Sequence, residues 1–357
     1  MTPLAGQLLR RIAASGPLTV AEYMAECLLH PEHGYYATRD PFGVGGDFTT
    51  APEISQMFGE LLGLCLAQSW MDQGSPAPFA LAELGPGRGT LMADILRATA
   101  RVPGFAEAVQ VWLVEASAHL RLKQQAALPD HAPHWVDKTA DLPQLPLFLV
   151  ANEFFDALPI RQFVRQGDCW RERVIGSTPE GTGLAWGLTE PVPVAALAHR
   201  LADTRDGDLV EVCPSAAPIL REVTARIAAH GGAALVFDYG DWRSLGDTLQ
   251  ALRAHAPADP LDEPGEADLT AHVDFESLAR AAPELGVSAM QTQGAVLQSL
   301  GIEARTAALA RGLEGAALES HLAAHRRLTA PSEMGTLFKT LAFAPKDAAL
   351  PPGYHGT

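Results

Sequence analysis

The stretch Phe79-Ala-Leu-Ala-Glu-Leu-Gly-Pro-Gly-Arg-Gly-Thr-Leu-Met-Ala-Asp-Ile-Leu-Arg97 decides the fold. Its apolar opening, 79–84, reads as a strand buried on both faces. Gly85, Gly87 and Gly89 then make a turn, and Leu91/Ile95 and Met92/Leu96 repeat at i,i+4 as on a helix. Strand, glycine turn and helix together form the first unit of a nucleotide-binding α/β fold. Glycines there allow positive φ and leave no Cβ between the backbone and a ligand at the helix N-terminus.

On either side of this unit the same alternation continues. Ile54 to Trp70 predicts a helix leading into the opening strand, and Val109-Gln-Val-Trp-Leu-Val-Glu115 predicts a second strand that ends in a carboxylate. A helix at 118–127, a strand at 134–137 and another at 145–151 follow, the last emptying into Asn152-Glu-Phe-Phe-Asp-Ala-Leu-Pro159. Such alternation implies a parallel sheet with its ligand site at the strand C-termini. Residues 160–204 alternate with period two and read as a small antiparallel insertion. The core resumes at Asp208-Leu-Val-Glu-Val, and Gly231-Gly-Ala-Ala-Leu-Val-Phe-Asp-Tyr-Gly240 is a further central strand. Residues 241–268 read as surface loop, 295–328 as a helical excursion inside the second half of the core (205–343), and 344–357 as a loose tail. Toward the N-terminus, 1–70 reads as a helical cap with a capping box at Thr19 and Glu22, followed by a glycine-rich loop at 40–53.

Composition narrows the partners. The 357 residues carry 26 basic and 42 acidic side chains, a formal net charge of -16. Nucleic acid is thereby disfavoured, because a phosphate-binding surface needs clustered Lys and Arg. Cys27, Cys65, Cys169 and Cys213 stand alone, without a C-x-x-C pair, as reduced thiols do in a cytoplasmic protein. No apolar run approaches a membrane span, and the first residues lack the order of a secretion signal. His321 and His325 sit at i,i+4 but lack the H-E-x-x-H pattern, so no metal is expected and both are read as solvated.

The ligand is narrowed by what surrounds the glycines. No Lys follows them, so the turn is not a phosphate-binding loop. Glu83, two places before Gly85, would repel a pyrophosphate but accept a hydrogen bond from an ammonium group. Glu115 at the end of the second strand is placed for both ribose hydroxyls. An acid at the first turn and another after the second strand match S-adenosylmethionine.

Longer motifs then resemble one family. His30-Pro-Glu-His-Gly-Tyr-Tyr36, the run 46–60, Glu83-Leu-Gly-Pro-Gly-Arg-Gly-Thr-Leu91, Ala151-Asn-Glu-Phe-Phe-Asp-Ala-Leu-Pro159, Glu211-Val-Cys-Pro214 and Ala267-Asp-Leu-Thr-Ala-His-Val-Asp-Phe275 are similar to the MidA family. These are mitochondrial complex I assembly arginine methyltransferases and their bacterial relatives. The resemblance implies a seven-stranded class I methyltransferase (Rossmann-like) sheet. It also implies a protein substrate, an arginine on a core subunit of respiratory complex I.

For a guanidinium acceptor, carboxylates must orient the group and stabilise its charge. Asn152, Glu153 and Asp156 occupy the end of the fourth strand, where this fold receives its acceptor. Glu153 and Asp156 are expected to grip the guanidinium and Asn152 to fix the acceptor nitrogen. The cofactor set is read as Glu83, Gly85, Gly87, Gly89, Glu115 and Asp137, with Gly46, Asp47 and Thr49 in a lid loop; Asp137 is assigned to adenine. Phe155, Asp238 and Tyr239 are candidates for lining the substrate cleft, while Tyr35 and Tyr36 divide between aromatic lid and core. Two other functions fit the same sequence, a small-molecule methyltransferase and a non-catalytic assembly chaperone that keeps the fold. Intact glycines and both acids weigh against the chaperone.

Overall fold

The computed structural model describes residues 2–38, 50–253 and 256–356. The lid-loop candidates Gly46, Asp47 and Thr49 lie outside the described residues. Contacts divide the chain into two units, one of Thr49–Phe155, Ala217–Trp242 and Phe275–Thr357, the other of Met1–Phe48, Asp156–Ala216 and Arg243–Asp274.

Among the described residues, the first of these units is built on a sheet with the two-residue Gln291–Thr292 paired off a main path of seven strands: β1 (Phe79–Leu84), β2 (Val109–Val114), β3 (His134–Val136), β4 (Leu147–Asn152), β5 (Gly232–Asp241), β6 (Leu285–Val287) and β7 (Phe338–Pro345). They lie in the order β6-β7-β5-β4-β1-β2-β3. All pairings from β3 to β5 are parallel, and β7 runs antiparallel between β5 and β6. This is the seven-stranded class I methyltransferase order. Every residue of β1 and of β4 is buried, as expected where helices cover both faces. Successive strands proceed outward from β1 to β3 in one direction and from β4 to β5 in the other, with β7 inserted between β5 and β6. A crevice therefore opens at their carboxyl ends, and there the glycine turn leaves β1 beside the Asn152–Glu153 loop leaving β4.

Helix α1 (Gln56–Asp72) packs so closely on α2 (Thr90–Thr99) that a Cβ added to Gly59 would lie 2.6 Å from the Asp94 Cβ. Glu60, on the same helix, is 4% exposed and accepts two hydrogen bonds from Arg305 (2.7 and 2.8 Å) and one from Arg97 (3.2 Å). These bonds fasten the helical excursion to the nucleotide half. His321 is half-buried rather than solvated, its Nε2 3.0 Å from the Thr306 carbonyl oxygen. Nor is the C-terminal stretch loose: Tyr354 OH meets Thr340 Oγ1 at 2.6 Å, and Cys65 donates to the Pro352 carbonyl.

In the other unit the predicted capping box forms, with Thr19 Oγ1 accepting from Glu22 N and Glu22 accepting from Thr19 N. The antiparallel insertion is present as Arg161–Gln166, Cys169–Ser177 and Leu184–Leu188, but it recruits two segments read otherwise from the sequence. Leu18–Thr19 pairs with Val174 and Ile175, and Leu209–Val212 pairs with Arg161–Val164 instead of returning to the large sheet. Residues 241–268, read as loop, contribute to a three-stranded sheet of Gln250–Arg253, Ala256–Ala258 and Asp268–Thr270. Tyr35 is fully buried here, and the Tyr36 hydroxyl donates to Asp268. Among the described residues no helix is long and apolar enough to cross a membrane, and no three His, Cys, Asp or Glu gather as metal ligands.

Candidate active site

Gly85, Gly87 and Gly89 adopt φ of 59°, 53° and 86°, left-handed values that a side chain would strain. At Gly85 space adds a second demand, since a Cβ there would lie 2.9 Å from the Phe154 ring. Phe154, leaving β4, thus abuts the turn leaving β1. Its neighbour Phe155 is only 3% exposed and packs edge-on against it, ring centroids 5.2 Å apart.

Glu83 is 3% exposed. Burial raises its carboxyl to about 8, against the pull of a hydrogen bond from Met92 N and with a smaller push from Glu115. Met92 is the third residue of α2, so Glu83 satisfies one of the amide groups that a helix start leaves unpaired. Its other oxygen, Oε2, is buried with no hydrogen-bond partner among the described residues. Neither fact was legible in local sequence. A buried carboxyl with one oxygen unpartnered stands ready for a donor that the protein does not itself supply.

At the end of β2, Glu115 accepts from Ser117 N at 2.8 Å and from Gln124 Nε2 at 3.1 Å. Burial raises its carboxyl, opposed by those hydrogen bonds. Sequence reading missed Gln124, on α3 (Ala118–Ala127), which is fully buried. Its amide donates also to the Gly87 carbonyl at 2.9 Å, and its Oε1 accepts from Trp135 Nε1 at 2.8 Å. One side chain therefore sets the glycine turn, the acid of β2 and the third strand in a fixed relation. Nothing in its helix foretells this, because the partners come from three separate segments. Asp137 is mostly exposed and ion-paired with Arg121, which also donates to the Glu115 carbonyl.

At the end of β4, Glu153 adopts φ 51°, one of three non-glycine residues with positive φ among those described. A left-handed backbone at such a residue costs about 1–3 kcal/mol and persists only where its surroundings impose it. Here Glu153 N donates to the Phe237 carbonyl at 2.9 Å, while its Oε1 accepts from Ala51 N at 3.1 Å and from Asn152 Nδ2 at 3.0 Å. Asn152 is 8% exposed and its Oδ1 has no hydrogen-bond partner among the described residues. Asp238 is fully buried, Oδ2 accepting from Phe155 N and Oδ1 from Tyr239 N, each at 3.0 Å. It clamps the backbone of the β4 loop. Tyr239 is 9% exposed and packs edge-on against Phe338. Asp156 begins the other unit, 6% exposed, its carbonyl accepting from Ala271 N at 3.0 Å.

A sequence family described as "Putative S-adenosyl-L-methionine-dependent methyltransferase" matches residues 61–293. The chain belongs to this family. Among its relatives is the Mus musculus "Protein arginine methyltransferase NDUFAF7, mitochondrial", 36% identical over 97% of this chain and 85% of the mouse protein. The Homo sapiens protein of the same name is 37% identical over 97% of this chain and 84% of its own length. A crystal structure of a Burkholderia thailandensis protein bound to S-adenosyl-homocysteine superposes with a TM-score of 0.82 at 29% identity, covering 97% of this chain and 93% of that one. The protein is an S-adenosylmethionine-dependent methyltransferase with a Rossmann-like fold.

Residues of this methyltransferase fit that cofactor. The glycine turn offers backbone without side chains, Glu83 an oxygen awaiting a donor, and Glu115 a carboxylate edge fixed by Ser117 and Gln124. When bound, S-adenosylmethionine supplies a methyl group made electrophilic by its sulfonium. The chain's task is then to align a nucleophile with it.

Proposed function

We propose that this methyltransferase modifies an arginine of a protein substrate, with Glu153 receiving the guanidinium and Asn152 orienting the acceptor nitrogen. The observation that carries the reading is the strained Glu153, held at φ 51° beside the turn that follows β1. A carboxylate there matches the charge of a guanidinium and stabilises it as one nitrogen gives up its lone pair. The names of the mouse and human relatives support a protein arginine acceptor. The family resemblance adds a core subunit of respiratory complex I, or its bacterial equivalent, as the substrate to try first. Within the donor site we assign the ammonium to Glu83, the ribose to Glu115 and the adenine to the side on which Asp137 lies. We place the protein in the cytoplasm, in keeping with four free cysteines, two of them buried with thiols pushed up to about 12 by desolvation.

Incubating the protein with methyl-labelled S-adenosylmethionine and a respiratory-membrane extract should label one protein, and hydrolysis of that protein should yield methylarginine. Label in a small molecule, or on a residue other than arginine, would refute the proposal.

A further inference from the structure

The short helical turn Ala51–Ile54 touches both halves of the site. Thr50 precedes it as N-cap but makes no side-chain cap bond, and Ala51 N–H is satisfied instead by Glu153 Oε1 at 3.1 Å. At the far end of the same turn, Glu53 Oε1 accepts from the Thr90 hydroxyl at 2.6 Å. Thr90 is the first residue of the ten-residue α2, entered from Gly89 without a side-chain cap. A carboxylate beside a helix start is favoured by the unpaired amide groups there. Between these two hydrogen bonds lie Ala51 and Pro52, both buried, and Pro52 has a fixed φ. The path Thr90, Glu53, Pro52, Ala51, Glu153 therefore consists of two hydrogen bonds and one stiff turn. It joins the helix that begins at the donor turn to the strained acid at the end of β4.

We propose that Glu53 is a positioning residue, anchoring the 51–54 turn to α2 so that Glu153 is held in place when the donor site fills. The proposal rests on the reading of Glu153 as the acceptor carboxylate, and deepens it by naming what sets that carboxylate's position. Glu53 needs only an acceptor oxygen for this role, so glutamine serves where alanine does not. Thr90→Val removes the matching donor with little change of shape.

The test is hydrogen exchange at the Ala51 amide, read in a peptide beginning at or before residue 48 and ending by residue 56 of the full-length protein, with and without S-adenosyl-homocysteine. Calorimetry on the same samples confirms that this probe binds. The wild type and Glu53→Gln should show the Ala51 amide slowed about tenfold by the probe. Glu53→Ala and Thr90→Val should bind the probe yet show no slowing. Slowing that persists in both of these variants, Glu53→Gln behaving as Glu53→Ala, or no slowing in the wild type would each overturn the proposal. If Glu53→Ala fails to fold, Thr90→Val alone decides. Failure of the arginine reading appears separately, as a labelled product without methylarginine, and leaves the exchange result standing.

Discussion

Replacing Glu83 by glutamine should stabilise the ligand-free protein, by an amount that depends on pH in a calculable way. In the folded chain the carboxyl sits at about 8, against an ordinary value of 4.5. An acid raised on folding contributes stability that is fully present below the unfolded value and is lost as pH rises through the folded one. At pH 7 the unfolded side chain is ionised while the folded one must remain mostly protonated. The cost is roughly 2.5 pH units at about 1.36 kcal/mol each, or about 3 kcal/mol, approaching about 5 kcal/mol above pH 8. Glutamine keeps an oxygen for Met92 N–H and is never ionised. The variant should therefore match the wild type near pH 4.5, exceed it by about 3 kcal/mol at pH 7, and hold its advantage at pH 9. Urea unfolding at these three pH values, without ligand, measures the difference directly. S-adenosylmethionine should bind the variant more weakly, because an amide cannot neutralise an ammonium, and wild-type affinity should rise with pH toward 8 as binding expels the Glu83 proton. A stability difference that does not change with pH would refute the buried-carboxyl argument. Unaltered affinity would refute the ammonium assignment alone.

Three further perturbations separate the roles of the site. Glu153→Gln should lower methyl transfer at least about a hundredfold while S-adenosyl-homocysteine binds as before by calorimetry, since only the acceptor loses its counter-charge; joint loss of binding would contradict the assignment. Gln124→Ala removes bonds to Gly87, Glu115 and Trp135, and should cost about 3 kcal/mol in urea unfolding and weaken S-adenosyl-homocysteine binding. Glu60 is held below its ordinary value because the hydrogen bonds from Arg305 and Arg97 outweigh its desolvation. Its contribution is present above about pH 4.5 and lost as pH falls through its lowered folded value, so Arg305→Ala should cost about 2 kcal/mol at pH 7, discounted for the partial exposure of Arg305, and progressively less on acidification below about pH 4.5.

Much of the local structure around the proposed donor site was legible from the chain alone. Strand, glycine turn, helix and the two acids Glu83 and Glu115 lie within 37 residues, and their chemistry follows from residue type and spacing. The loop 152–156, which we propose receives the acceptor, was legible as a place, the end of the fourth strand. Tertiary structure decided what each residue there touches. It left Glu153 with a strained backbone, turned Asp238 into a clamp on the Phe155 amide, and set Phe154 rather than Phe155 against Gly85. It also brought Leu209–Val212 into the small sheet, because a short apolar strand carries no local mark of which edge it will join. Gln124, Ala51 and Glu53 escaped notice for the same reason. Their hydrogen bonds to Gly87, Glu153 and Thr90 reach 37, 102 and 37 residues along the chain, a distance at which periodicity and motif carry no information and only the closing of the sheet brings donor to acceptor.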